Sequence, residues 1–373
     1  MTAVLDLLTE LVRRRTVASG EGVLAALCAD TLRDNGFEVS TPDWEEGREQ
    51  LVALTGSDSA PLTVTGHLDT VPADPAQWTV DPWAAERDGD RMVGRGTSDM
   101  KSGVAAAVVA AVDHAARPHH CHGLQLVLAA GEETGCTGAL RLPQSSLTPG
   151  GPLLVAEPTA NRLTLGHKGA HWMRLTATGR AAHGSAPQLG DNAVVRLARA
   201  AGALHDHDSW PSHAAFGPVT ANVGLLRGGV QPNVVPDFAE MLLDVRTVPG
   251  VNGDDVRSVV AELCGDGIQV DDHVVLPVVD TDVQDPFVGL VREALVAAGE
   301  DDEPHSPARY FTDASVLTRL LSPPEDGRPA PTVVLGPGEP DQCHVVDEWC
   351  STSKVEAAVE IYRQLFDRWC RGR

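Results

Sequence analysis

Basic side chains are scarce in this 373-residue chain, with 29 Lys and Arg against 52 Asp and Glu, so the formal net charge is -23. A surplus of that size repels polyanions, which excludes nucleic acid and anionic membrane as expected partners. No apolar run approaches the roughly 18 residues that a membrane helix needs. The opening segment carries Asp6, Glu10 and Arg13 to Arg15 without an uninterrupted apolar stretch of signal-peptide length. A cytoplasmic address is therefore expected. The seven cysteines are odd in number and irregular in spacing, which fits reduced thiols rather than a disulfide framework. Internal repeats and low-complexity segments are absent. No Gly-x-Ser-x-Gly falls at a strand end, so the elbow of a serine hydrolase is missing, and Ser98, Ser102 and Ser185 lack its context.

Hydrophobic residues make up 42% of the chain, enough for packed cores, and the length points to two domains. Val4, Leu7, Leu8, Leu11 and Val12, then Leu24, Leu27, Cys28 and Leu32, recur at helical spacing and predict two opening amphipathic helices. Short apolar runs at Leu62 to Gly66, Leu124 to Ala130 and Leu153 to Ala156 read as buried strands, with an Ala/Val helix between the first two. That alternation predicts an α/β domain with a mixed, largely parallel sheet flanked by helices, whose ligands gather beyond the carboxyl ends of the strands. From residue 169 to 276 the order becomes strand, helix, two strands, helix, strand, which predicts an inserted α+β, ferredoxin-like domain. The larger domain then comprises residues 1–168 and 277–373.

Six stretches carry the chemistry: Gly66-His67-Leu68-Asp69, Ser98-Asp99-Met100, Gly131-Glu132-Glu133-Thr134-Gly135, Ala156-Glu157-Pro158, Ala182-His183-Gly184-Ser185 and Cys343-His344. Imidazole nitrogen and carboxylate oxygen both suit Zn²⁺ at about 2.0 to 2.2 Å. A two-metal site needs one carboxylate to bridge both ions. Asp99 as the bridge, with His67, Glu133, Glu157 and His344 as terminal ligands, satisfies that scheme. Three carboxylates against two divalent ions leave a charge of about +1, suited to binding hydroxide or a polarised carbonyl. Each residue also has a plain structural alternative. A lone His after a strand is commonly a turn residue, Gly131 to Gly135 could be a solvated turn, and Asp69 and Asp99 could be helix N-caps. The ordered set favours a metal-dependent hydrolase.

The stretch from Gly66 to Gly103 resembles the dimetal aminoacylase and carboxypeptidase family that includes acetylornithine deacetylase, succinyl-diaminopimelate desuccinylase and glutamate carboxypeptidase. The resemblance continues through Gly131 to Gly135, Ala156 to Thr159, His167-Lys168-Gly169, Ala182 to Pro187, Pro232 to Arg246 and Gly336 to His344. It implies two divalent ions, Zn²⁺ first and Co²⁺ second, with Asp99 bridging, Glu133 and His344 on one ion, and His67 and Glu157 on the other. Glu132 becomes the general base, taking a proton from the attacking water and returning it to the leaving amine. Asp69 becomes the carboxylate that orients His67, a partner that a ligating His usually needs. In an extended chain successive side chains point oppositely, which would let Glu132 and Glu133 serve separate tasks. The resemblance further implies that His183 reaches a partner subunit's site to stabilise an oxyanion, that Asn233 and Arg246 contact the substrate carboxylate, and that the insert is a lid and dimerisation domain.

The implied activity is hydrolysis of an N-acyl amino acid by a homodimer. Carboxypeptidase or dipeptidase action on the same site is an alternative. A silent metal-binding scaffold is a third reading, disfavoured by the retained Glu132. The overall negative field slightly favours a substrate with a cationic side chain, such as an acylated ornithine or lysine, although local charge can reverse this. Where many relatives carry paired glycines before Thr-Asp, this chain has Arg309-Tyr310-Phe311-Thr312-Asp313. The two bulky rings put any specific substrate in doubt. His119-His120-Cys121-His122 is expected to be an exposed connecting loop, and Cys343 is expected to pack rather than ligate.

Overall fold

Four short strands, Leu62–His67, Leu124–Ala129, Leu153–Val155 and Thr332–Val334, run parallel in a six-stranded sheet. Leu51–Thr55 extends it antiparallel beside Leu124–Ala129, and Glu38–Ser40 pairs antiparallel with Leu51–Thr55 at the edge. The computed structural model describes residues 2–43, 45–56, 60–117, 123–323 and 327–371. They divide into a larger unit, Met1–Gly166 with Val279–Ser306 and Thr312–Arg373, and a smaller one, His167–Val278 with Pro307–Phe311. His119 to His122 lie outside the described residues.

Strand alternation sorts the larger unit's core into two layers. Leu62, Val64, Leu126, Leu154 and Val333 face helices Ala3–Val12, Glu21–Asp34, Ser102–Ala115, Pro286–Ala298 and Thr352–Arg371. Val127, Leu153, Val155 and Val334 face the opposite way, onto Ala314, Leu317 and Leu321. Polar side chains inside the sheet find local partners: the Gln125 amide donates to Thr63 Oγ1 at 2.9 Å, and Thr65 Oγ1 donates to the Val127 backbone carbonyl at 2.8 Å. Small residues keep the Ala-rich helix Ser102–Ala115 close to the sheet. A Cβ on Gly103 would lie 1.9 Å from Ala156 O, beside the strand end that leads to Glu157. The expected α/β architecture with a largely parallel sheet is thus the observed one.

The smaller unit is a four-stranded antiparallel sheet in the order Thr220–Gly228, Phe238–Thr247, Gly169–Thr178, Ile268–Leu276. Helices Ala193–Asp206 and Gly253–Cys264 cover one face, against Met173, Leu175, Met241, Leu243 and Val245. Residues 307–311, expected with the larger domain, pack with this unit instead. The reason is local pairing at the start of Gly169–Thr178: His167 bridges Ala308, the Lys168 N–H donates to Ala308 O at 3.0 Å, and Phe311 meets Trp172 edge-on at 5.7 Å. No helix among the described residues is long and apolar enough to cross a membrane.

Candidate metal centre

Parallel strands deliver their carboxyl ends to one edge of the sheet, and chemistry collects there. His67 is the last residue of Leu62–His67, Glu132 and Glu133 follow Leu124–Ala129, and Glu157 follows Leu153–Val155. The fourth strand, Thr332–Val334, leads through Gly336 to His344. Asp99 comes from a distorted helical turn, Thr97–Lys101, in which Asp99 and Met100 have non-helical backbone angles. Its side chain does not cap the helix that follows.

Asp99 stands between the two histidines. Its Oδ1 lies 3.0 Å from His67 Nε2, and its Oδ2 lies 3.3 Å from His344 Nε2. On one side His67 Nε2 is 3.7 Å from Glu157 Oε1; on the other His344 Nε2 is 3.0 Å from Glu133 Oε2. His67, Asp99 and Glu133 each offer an atom within 4.8 Å of the others, close enough to hold a metal ion. His344 adopts a left-handed backbone conformation, φ 65°, an uncommon state for a residue with a side chain. Its ring is the most open member of the group, with 52% of the side chain exposed.

Two local geometries differ from expectation. Asp69 does not hold His67 through its carboxylate: His67 Nδ1 hydrogen-bonds the Asp69 carbonyl at 3.0 Å, while the carboxylate is 3.6 Å away. The carboxylate instead accepts the N–H groups of Glu132 and Glu133, each at 3.1 Å, because the turn presents both donors to it. Nor are Glu132 and Glu133 on an extended segment. They lie in a tight turn with Gly131 at φ 71° and Gly135 at φ 90°, closed by the Gly135 and Cys136 N–H groups on Glu132 O. Curvature at these residues, rather than strand alternation, sets the directions of the two glutamates.

Electrostatics makes the cluster unstable as a set of bare anions. Burial, followed by the nearby carboxylates of Glu157, Glu133 and Asp313, pushes Glu132 well above the usual carboxylate range, against the pull of His67. Glu157 is raised by burial and then by Asp99. Glu133 is raised by the same two causes. Burial works against ionisation of Asp99, but hydrogen bonds from His344 and His67 hold it low. Its bonds to Asp99 and then to Glu133 carry His344 up to about 10. His67 is also held high, its burial outweighed by Asp99, Glu157 and Asp69. Mutually repelling buried acids of this kind are relieved by bound cations. Glu133 Oε1, buried and without a hydrogen-bond partner, is an acceptor of the type a cation would take up. The donor set fits divalent metal.

Three supports escaped the sequence reading. Glu348 is fully buried and accepts four donors from the loop that bears Asp99: Arg95 Nη1 at 2.6 Å, Gly96 N at 2.9 Å, Ser98 N at 2.8 Å and Asp99 N at 3.1 Å. Lys101 Nζ donates to Leu11 O and Arg14 O, both at 3.0 Å, tying the same loop to the first helix. Asp313, 2% exposed, is pushed up to about 7 by burial, against His67 and with Asp69 adding to the rise. Only Asp313 left a sequence signal, as part of the Thr312-Asp313 pair. A buried Lys or Glu that stabilises a loop from far along the chain leaves none.

The remaining residues expected at the site belong to the smaller unit. His183 Nδ1 accepts the Ser185 N–H at 3.1 Å and lies 2.7 Å from Ser185 Oγ, an arrangement that favours the tautomer with its hydrogen on Nε2. Beside it, the Gly184 N–H donates to Asn233 O at 2.7 Å, and His183 bridges Val234. His183 and Asn233 are exposed. Arg246 sits toward the other end of Phe238–Thr247, with Nε 3.0 Å from Asp244 and its guanidinium 4.9 Å from the Phe311 ring centre. Eight strand steps separate Phe238 from Arg246, or about 26 Å at about 3.3 Å per residue.

Residues 63–368 match the model of peptidase family M20/M25/M40. The acetylornithine deacetylase of Vibrio campbellii is 28% identical over 357 residues, covering 92% of this chain and 90% of that protein. That of Vibrio atlanticus is 29% identical with the same coverage. Among solved structures, an M20 family metallo-carboxypeptidase from Sulfolobus solfataricus superposes with a TM-score of 0.80 at 17% identity, over 98% of this chain and 99% of that one. A Bacillus subtilis protein described as a dinuclear metal binding peptidase gives 0.72 at 14% identity, over 99% and 98%.

Proposed function

This chain belongs to peptidase family M20/M25/M40, and we propose that within this family of metal-dependent hydrolases it is a dinuclear amidohydrolase acting on N-acyl amino acids. The observation that carries the reading is the position of Asp99 between two histidines, each with its own glutamate. Asp99 would bridge two ions, His67 and Glu157 would hold one, and Glu133 and His344 the other. Zn²⁺ is the first choice and Co²⁺ the second. When bound, these ions supply the Lewis acid that acidifies water and polarises the scissile carbonyl.

Glu132 acts as general base. Its backbone is held by Asp69, its carboxyl is buried, and its raised proton affinity suits a group that takes a proton from water and returns it to the leaving nitrogen. His183, with Nε2–H as donor, supports the carbonyl oxygen as it gains charge. Arg246 takes the substrate carboxylate, a task suited to a guanidinium fork. Asn233 stands with His183, at the opposite end of the strand from Arg246. A small N-acyl amino acid cannot reach both ends, so His183 and Asn233 serve a partner subunit's site in a homodimer, working in the cytoplasm.

Peptidase or carboxypeptidase action is the second reading, favoured by structural neighbours described as a tripeptidase and a metallo-carboxypeptidase. One experiment tests both readings: metal per chain is measured after chelation and reloading, and the loaded protein is given N-acetyl amino acids, N-succinyl amino acids and dipeptides. Turnover of acylated amino acids above dipeptides is expected. Loaded protein that cleaves no amide would overturn the proposal, and preference for dipeptides would replace it with the second reading.

A further inference from the structure

His344 reaches the cluster from a segment with an unusual path. Two residues in the left-handed region, His344 at φ 65° and Asp347 at φ 56°, bracket Val345 and Val346. Backbone of that kind persists only where its surroundings hold it. The His344 ring is half exposed and faces the carboxylates of Asp99 and Glu133, so burial does little to place it. His67 differs: it ends a buried strand, and its Nδ1 is fixed on the Asp69 carbonyl at 3.0 Å. The placement of His344 has to come from the segment behind it.

Arg95, buried beside the Asp99 loop, joins that segment to the loop. Its two terminal nitrogens go to different places: Nη1 donates to Glu348 Oε2 at 2.6 Å, and Nη2 donates at 3.2 Å to the carbonyl of Val345, the residue after His344. The guanidinium is centred 5.2 Å from the Trp78 ring. Other bonds weave the same pieces together: the Arg95 N–H donates to Pro82 O and the Gly94 N–H to Glu348 O, both at 2.8 Å, and the Thr79 N–H donates to Asp347 Oδ1 at 2.9 Å. Residues 78–82, 94–96 and 345–348 all belong to the larger unit. Glu348 already gathers the N–H groups of Gly96, Ser98 and Asp99, so the Asp99 loop itself does not require Arg95. A counter-ion for Glu348 could be any cation. Reaching Glu348 and Val345 O together takes the planar fork of a guanidinium, which an ammonium does not offer.

We infer that Arg95 is a positioning residue for His344: one arm of its guanidinium is fixed to the carboxylate that clamps the Asp99 loop, and the other sets the segment that carries His344. This rests on the proposed dinuclear centre, within which Arg95 acts on the position of Glu133 and His344 and not on that of His67 and Glu157.

The test measures Zn²⁺ per full chain across a series of chelator concentrations. Arg95→Lys keeps a counter-ion for Glu348 and loses the fork. Trp78→Leu removes the ring beside the guanidinium, leaves every charge in place, and supplies a second variant if the first does not fold. His344→Ala identifies the ion that His344 holds. Arg95→Lys is expected to weaken that ion by about 10 to 100-fold, as for loss of a group that supports a ligand, and to leave the other within about twofold. Trp78→Leu should act on the same ion, in the same direction and by less. On a His344→Ala background Arg95→Lys should add nothing, because an effect exerted through His344 disappears with it. Equal weakening of both ions, which a general loosening of the fold would produce, overturns the inference. So does no weakening, or a loss that adds to that of His344→Ala. If the parent binds a single ion, the dinuclear reading fails, and the same double-mutant cycle on that ion decides this one. If it binds none, crystal structures of the parent and of Arg95→Lys decide: a His344 ring displaced from Asp99 by about 1 Å or more upholds the inference, and an unmoved ring rejects it.

Discussion

The acidic centre of the larger unit and the His183 loop of the smaller one are built to opposite specifications. Around Asp99 the backbone is held from several sides: Glu348 takes the Ser98 and Asp99 N–H groups, Asp69 those of Glu132 and Glu133, and Lys101 anchors to two carbonyls of the first helical segment. His183 and Asn233 are exposed, and their segments are joined by two backbone hydrogen bonds, Gly184 N–H to Asn233 O and Val235 N–H to Ala182 O, around a single bridge. Ligands for metal must be arranged before the ion arrives, because an uncorrected displacement weakens every bond to it. In the proposed dimer, a donor that completes the partner's site has to remain accessible. Rigid placement and accessibility are thus assigned to different units of one chain.

The comparison breaks most sharply at Glu132. Glu132→Gln should lower hydrolysis by about 10² to 10⁴-fold while metal per chain stays unchanged; a variant as active as the parent removes Glu132 from its role. Next comes His183→Ala, expected to lower kcat by about 10²-fold without loss of metal, as for removal of an oxyanion donor. Mixing Glu132→Gln chains with His183→Ala chains should then recover part of the activity, since a hybrid dimer retains one site with both groups. No recovery would place His183 in its own chain's chemistry. Glu348→Gln turns one acceptor into a donor facing N–H groups and should weaken metal affinity by about 10 to 100-fold, read by competition with a chelator. The smallest change is expected at Asp90, which accepts the Ser353 N–H at 2.8 Å at the start of Thr352–Arg371. Asp90→Ala should cost about 1 kcal/mol in a denaturant melt and leave turnover intact.

Periodic, locally encoded features were legible. The spacing of Val4, Leu8 and Leu11 predicts the first helix, the Ala/Val run its observed counterpart Ser102–Ala115, and the strand ends carry His67 and Glu157. The family resemblance supplied the grouping of ligands. Less legible was whatever depends on contacts between distant segments. Trp349–Ser351 pairs with Arg91–Val93, which pairs with Glu86–Asp88, in a small sheet that no periodicity announces. The same holds for Glu348, whose acceptors serve residues about 250 positions earlier, and for Pro307–Phe311, whose three-residue approach to Lys168 depends on register rather than pattern. Asp69 shows a finer limit: its proximity to His67 is readable from spacing two apart, but which of its oxygens His67 meets is decided by the turn at Gly131.

Glu348 also bears on the order of events at the ribosome. The loop that presents Asp99 is made about 250 residues before the carboxylate that gathers its N–H groups, which emerges four residues after His344. A nascent chain that has exposed His67, Asp99, Glu133 and Glu157 therefore still lacks both the second imidazole of the proposed centre and the clamp on the proposed bridging residue. Products that stop before Glu348 would carry a loose acidic loop, so the proposed centre is completed only once that residue has been made.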